Sequence, residues 1–137
     1  MRTGGGKTTV PELHTFRAHP SALYEIRQLV KRLAESAGLD RSLADELTVA
    51  VSEACANSIM HTASPHVRVT WTDRGDCIHV EILDEGVFRR RVRMPEVEGQ
   101  GGHGIPLMMA LVGEFTIREG TVRRPGTSVR LVKCRSS

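Results

Sequence analysis

Val51-Ser52-Glu53-Ala54-Cys55-Ala56-Asn57-Ser58-Ile59-Met60-His61 is the most informative stretch of the chain. Glu53, Asn57 and His61 stand four residues apart, so on an α-helix they form one polar stripe. Around them Ala50, Ser52, Ala54, Ala56 and Ser58 are small, which leaves room for something to lie against the helix. An amide oxygen beside a carboxylate is hard-oxygen chemistry, suited to Mg2+ carrying phosphates. A solvated helix face is the simpler account of the Glu53–Asn57 pair taken alone, because single i, i+4 polar pairs are common. His61 reads as a helix-end residue, where the helix dipole favours its charged form.

Working outward, Asp40 is a good N-cap for this helix, which buries Leu43, Leu47, Val51 and Ala54 on one side and runs to about residue 61. An earlier helix opens at Pro20, repeats Leu23, Ile26, Val30 and Leu33 at helical spacing, and stops at Gly38. Residues 9–18 read as a first strand. After Ser64-Pro65 the period changes to two. Val67, Val69 and Trp71 alternate, a turn follows at residues 73–76, and Ile78, Val80 and Ile82 alternate in turn, which reads as an antiparallel hairpin. Residues 84–104 are rich in Gly and Arg, residues 105–112 look helical, and residues 115–118 and 128–132 form two closing strands around Pro125-Gly126. The pattern predicts an α+β two-layer sandwich: a mixed, mostly antiparallel sheet with the helices on one face. Residues 1–8 read as a flexible tail and residues 9–137 as a single domain.

The 137 residues suit one domain, and 39% hydrophobic with 26% charged residues excludes a disordered or collagen-like chain. Aromatics are scarce, so the core must be built of Val, Leu, Ile and Ala. The balance of 19 Lys+Arg against 16 Asp+Glu is too even for a dedicated nucleic-acid binder. No apolar run approaches the ~20 residues of a membrane span, and no secretion signal is visible, so the expected setting is the cytoplasm. Cys55, Cys77 and Cys134 are odd in number and lack CxxC spacing, which in a cytosolic chain predicts three free, inert thiols.

Two further features carry chemistry. Asp84-Glu85-Gly86 follows directly on a strand; alone it is a turn signal. Gly99-Gln100-Gly101-Gly102-His103-Gly104 feeds a helix, and glycines ahead of a helix N-terminus leave backbone N–H groups free for phosphate oxygens. It follows a long Arg-rich stretch rather than a strand, so it reads as a lid, not as a dinucleotide-binding loop. Gly6-Lys7-Thr8 is no phosphate loop, since the required earlier glycine is replaced by Met1.

In this order the features resemble one family. Glu53-x-x-x-Asn57 resembles the N-box of the Bergerat-type ATP-binding fold shared by gyrase, sensor histidine kinases and heat-shock chaperones. Asp84-x-Gly86 resembles its first glycine box, Gly102-x-Gly104 its second, and Gly126-Thr127 its terminal Gly-Thr element. The length and the string from Val51 to Asn57 narrow this to a resemblance with the anti-sigma factor serine/threonine kinases, over about residues 10–133. The resemblance implies ATP and Mg2+ as cofactors, with Asn57 ligating Mg2+ and Glu53 as general base on a partner's hydroxyl. It implies that Asp84 accepts from the adenine amino group, that Gly86 lets the backbone approach the base, and that Gly102 and Gly104 cradle phosphates. His103 would touch phosphate, and Thr127 would be a polar contact near adenine. Arg89, Arg90, Arg91 and Arg93 fall on the segment that would form the lid. The implied partners are a sigma factor and a STAS-type anti-sigma-factor antagonist, with a homodimer as the assembly and no nucleic acid or membrane. Phe88 departs from the family's Asp-x-Gly-x-Gly. Glu53 therefore points to a kinase and Phe88 to the alternative, a non-catalytic module that binds a sigma factor or antagonist with a weakened or lost nucleotide site.

Overall fold

The computed structural model describes residues 10–61, 64–86, 112–118, 123 and 126–135. Within them the elements run β1 (Glu12–Arg17), α1 (Ala22–Ser36), α2 (Arg41–His61), β2 (His66–Asp73), β3 (Cys77–Asp84), β4 (Glu114–Arg118) and β5 (Thr127–Cys134). The sheet order is β1-β2-β3-β5-β4, and the pairings are antiparallel throughout. Both helices lie on one face: α2 against β2, β3 and β5, and α1 against α2 and β1. This is the expected two-layer α+β sandwich. No helix among the described residues is long and apolar enough to cross a membrane. The tail at 1–8, Phe88, the four arginines of 89–93, the glycine-rich stretch 99–104 and most of the expected helix at 105–112 lie outside the described residues.

Alternation of apolar and polar residues sets the register. Val69 faces Ile82 and Trp71 faces Val80 across the β2–β3 hairpin, all four turned to the helices and buried. A one-residue slip would move every one of them to the opposite face, so the register is strongly specified. Ile26, Val30 and Leu47 complete the core from the helices. Burying each such side chain contributes about 1.5–3 kcal/mol. Among the described residues the buried core is aliphatic apart from Trp71, with Phe16 packed partly against it, as the scarcity of aromatics requires.

Gly38 ends α1 as expected. It holds φ +80°, its N–H donates to Glu35 O, and the N–H of Leu39 donates to Ala34 O, the paired bonds of a Schellman stop. The small residues of α2 divide between the core and the cleft described below. Ala50 is buried in the core with Leu47 and Val51, whereas Ala54 and Ser58, also buried, line that cleft. Ser52 is taken up by α1, whose Arg27 donates to its hydroxyl at 3.0 Å.

The expectation of three free thiols is overturned. Cys77 and Cys134 are register partners at the ends of β3 and β5 and form a disulfide, with Cα atoms 3.8 Å apart. They are 57 residues apart in sequence, and local cysteine spacing is blind to such cross-strand neighbours. Cys55 remains free, and burial pushes its thiol up to about 12, which makes it inert at neutral pH.

Next to this disulfide, Arg135 joins three parts of the fold. Its guanidinium donates to Asp73 at 2.9 and 3.2 Å, to Ala37 O at 2.7 Å and to Gly75 O. The hydrogen bond from Arg135, helped by Gly75 N–H and by the charge of Arg135, holds the Asp73 carboxyl below the ordinary aspartate range, against the opposing effect of burial. A depressed folded pKa means that this pair stabilises fully above the unfolded value of about 3.9 and loses its contribution as pH falls through the folded one. Asp73→Asn is expected to cost roughly 1–3 kcal/mol at pH 7 and to flatten the loss of stability below about pH 4. Urea titrations of both proteins at pH 7 and pH 3 check this.

Candidate functional site

The polar residues of interest arise where three buried stripes end. On β3, Ile78, Val80 and Ile82 point to the helices, and the next residue of that period is Asp84, 4% exposed. On β5, Leu131 and Val129 lead to Thr127, the register partner of Asp84 and 2% exposed. On α2 the stripe through Leu47, Val51 and Ala54 reaches Ser58, 5% exposed. The core thus closes at one end with an acid and two hydroxyls.

Their hydrogen bonds fix the arrangement. Ser58 Oγ donates to Asp84 Oδ2 at 2.5 Å, and the N–H of Gly86 donates to Asp84 Oδ1 at 2.9 Å. The carbonyl of Gly86 accepts from Gly126 N–H at 3.0 Å and from Thr127 Oγ1 at 3.3 Å. Gly126 sits at φ +121°, and a Cβ there would meet Asp84 O at 3.4 Å, so both its conformation and its neighbour favour glycine. Ser64 secures the turn from the other side, accepting from Glu85 N–H at 3.1 Å and donating to His66 O at 2.6 Å. A buried carboxylate needs such donors, because desolvation without them costs several kcal/mol.

A cleft opens against this cluster, lined by Ala54, Asn57, Ser58, Ile82, Asp84, Ile117, Thr127 and Val129. Four of these residues are aliphatic and four polar, the surface they expose is mostly apolar, and among the described residues the cleft encloses about 10 Å³, room for one water. Of the residues expected to bind, Asn57, Asp84 and Thr127 meet at this cleft, and Gly86 is bonded to two of them. Glu53 is half-buried one helical turn before Asn57, about 6 Å along the axis, and does not line the cleft. Gly102, His103 and Gly104 lie outside the described residues.

Ser58 and Ser64 were missed as contributors. The signal for Ser58 was present: it continues the apolar stripe of α2 four residues after Ala54, where a polar side chain requires a partner. Ser58→Ala removes a donor from a buried carboxylate and is expected to destabilise the fold by about 1–3 kcal/mol, measurable by urea unfolding.

The residues present suit a nucleotide and Mg2+. Apolar walls around an acceptor carboxylate match a base with an exocyclic amine, and the Asn57 amide oxygen is a hard ligand. Among the described residues no group of three or more His, Cys, Asp or Glu could hold a metal by itself. Mg2+ is usually held by substrate phosphates and one or two protein oxygens.

A family model of the histidine kinase-like ATPase domain matches residues 16–133. The chain belongs to that family. It is also similar in fold to the crystal structure of the RsbU and RsbW domains of Rv1364c from Mycobacterium tuberculosis, with a TM-score of 0.68 and 23% identity over 94% of this chain. The chain spans 33% of the length of that structure. None of the curated proteins compared matches the sequence significantly.

Proposed function

We propose that the chain is a cytoplasmic anti-sigma factor that binds a sigma factor and uses Mg-ATP to phosphorylate a Ser or Thr of an anti-sigma-factor antagonist, and so regulates transcription. The observation that carries this reading is the buried Asp84 carboxylate, held by Ser58 and Gly86 at the end of the cleft that Asn57 and Thr127 line. Membership of the histidine kinase-like ATPase family supports the nucleotide. The likeness in fold to a structure of RsbU and RsbW domains supports the narrower kinase reading.

In this proposal Asp84 accepts from the amino group of adenine, and the aliphatic walls of Ala54, Ile82, Ile117 and Val129 exclude water from the base. Thr127 holds the Gly86 carbonyl and so keeps the turn beside the base closed. The Asn57 amide oxygen would ligate Mg2+, and bound Mg-ATP would supply the phosphoryl group. Glu53, one turn earlier on α2, takes the proton from the partner's hydroxyl, a role compatible with its position outside the base cleft. Gly102, His103 and Gly104 would contact the phosphates, and a homodimer is the assembly. Incubation with γ-labelled ATP, Mg2+ and an antagonist protein tests the proposal: label should pass to a Ser or Thr of the antagonist. ATP binding without any transfer would favour a non-catalytic binding module instead.

A further inference from the structure

We propose that Cys77 and Cys134 form a reversible thiol–disulfide exchange site for low-molecular-weight thiols and disulfides, and that its redox state clamps or frees the end of the sheet remote from the cleft. Three observations carry this. The first is placement. The two residues are register partners, and the strand ladder continues past them, Arg135 N–H donating to Asp76 O at 2.9 Å. Reduction therefore leaves the two thiols side by side, and closing the bond again is an intramolecular step, favoured by high effective concentration.

The second is that strand pairing and the core hold β3 to β5 beside the bond. β3 and β5 pair without interruption from Cys77–Cys134 to Asp84–Thr127, and Ile78, Val80, Ile82, Val129 and Leu131 bury their side chains under the helices. Disulfides that a fold requires are typical of small secreted domains with too little core, which this is not. The third is access. Both cysteines are half-buried rather than enclosed, and both lie on the sheet face turned away from the helices, opposite to Ile78 in the strand period. The remaining cysteine, Cys55, is fully buried with its thiol pushed up to about 12, so it does not compete for the bond.

The chemistry is thiol–disulfide exchange. The thiolate of one cysteine attacks a small disulfide, forming a mixed disulfide and releasing one small thiol. The neighbouring thiolate then attacks the protein sulfur of that mixed disulfide and releases the second small thiol. Two protein thiols are oxidised and one small disulfide is reduced to two thiols; excess small thiol reverses both steps. In the reducing cytoplasm, persistent disulfides are rare and those present are usually transient or redox-sensing. The consequence is local. Cys134 precedes Arg135, which holds the end of β5 to Asp73, Gly75 and Ala37 at the corner between α1 and α2. Asp84 and Thr127 lie seven residues away along the same strands, roughly 23 Å. Nucleotide affinity should therefore stay within a few-fold; the argument rests on the cytoplasmic setting of the proposed function but not on kinase activity.

The test uses the wild-type protein in glutathione buffers of graded ratio, with alkylation and mass spectrometry to locate free thiols and calorimetry to read Tm. The oxidised protein should show no reactive thiol, and reduction without denaturant should expose Cys77 and Cys134 alone. Glutathione disulfide should close them again, and Tm should fall by roughly 5–15 °C on reduction. Cys77→Ser, or Cys134→Ser if the first does not fold, should show no response of Tm to reductant. A bond that opens only after unfolding would mark a purely structural disulfide and overturn the proposal. So would cysteines that stay as thiols, or that end as stable mixed disulfides with glutathione, or a Tm that does not move.

Discussion

Asp84→Asn is expected to lower ATP affinity about tenfold or more, because a hydrogen bond to a buried charged acceptor contributes roughly 1.5–3 kcal/mol. The substitution should cost the fold little. Asp84 accepts from Ser58 Oγ and from Gly86 N–H. In the variant the amide oxygen can keep the Gly86 bond, while the amide NH2 turns to a serine hydroxyl that accepts as readily as it donates. What is lost is the acceptor character presented to the base, where an NH2 now opposes the amine. Calorimetric titration of both proteins, with their thermal unfolding as control, separates the two effects. Equal affinities would remove Asp84 from the nucleotide site.

Glu53→Ala should leave ATP affinity within a few-fold and reduce phosphoryl transfer to the antagonist by ~10²–10⁴. The separation follows from position. Glu53 lies outside the cleft lined by Asn57, Asp84 and Thr127, and in the proposed function it meets the incoming hydroxyl rather than the base. It is only half-buried on α2, and its loss leaves no enclosed cavity, so stability should change little. Transfer at the wild-type rate would assign Glu53 to the surface of the helix alone.

Much of the fold is legible in the sequence where periodicity is strong. The alternation through Val67, Val69 and Trp71 and through Ile78, Val80 and Ile82 places the hairpin and its register, since one slipped residue would expose the whole set. Gly38 is readable as a stop because only its left-handed conformation allows the paired terminal bonds. Asp84 is legible as an interesting acid but not as a buried one; that needed the β5 partner Thr127 and the α2 residue Ser58, both distant in sequence. The small residues of α2 are legible only in part. Ala54 and Ser58 do line the cleft, while Ala50 is taken up by the core and Ser52 by Arg27 of α1, neither of which local sequence shows. The Cys77–Cys134 bond was illegible because strand pairing, not spacing, makes the two neighbours.

The most direct measurement is a calorimetric titration of ATP into the wild-type protein with and without Mg2+. A nucleotide site built on Asp84, Asn57 and Thr127 predicts saturable binding of one ATP per chain, tighter when Mg2+ is present because the Asn57 amide then gains a cation to ligate. The absence of saturable heat at millimolar ATP under both conditions would contradict it.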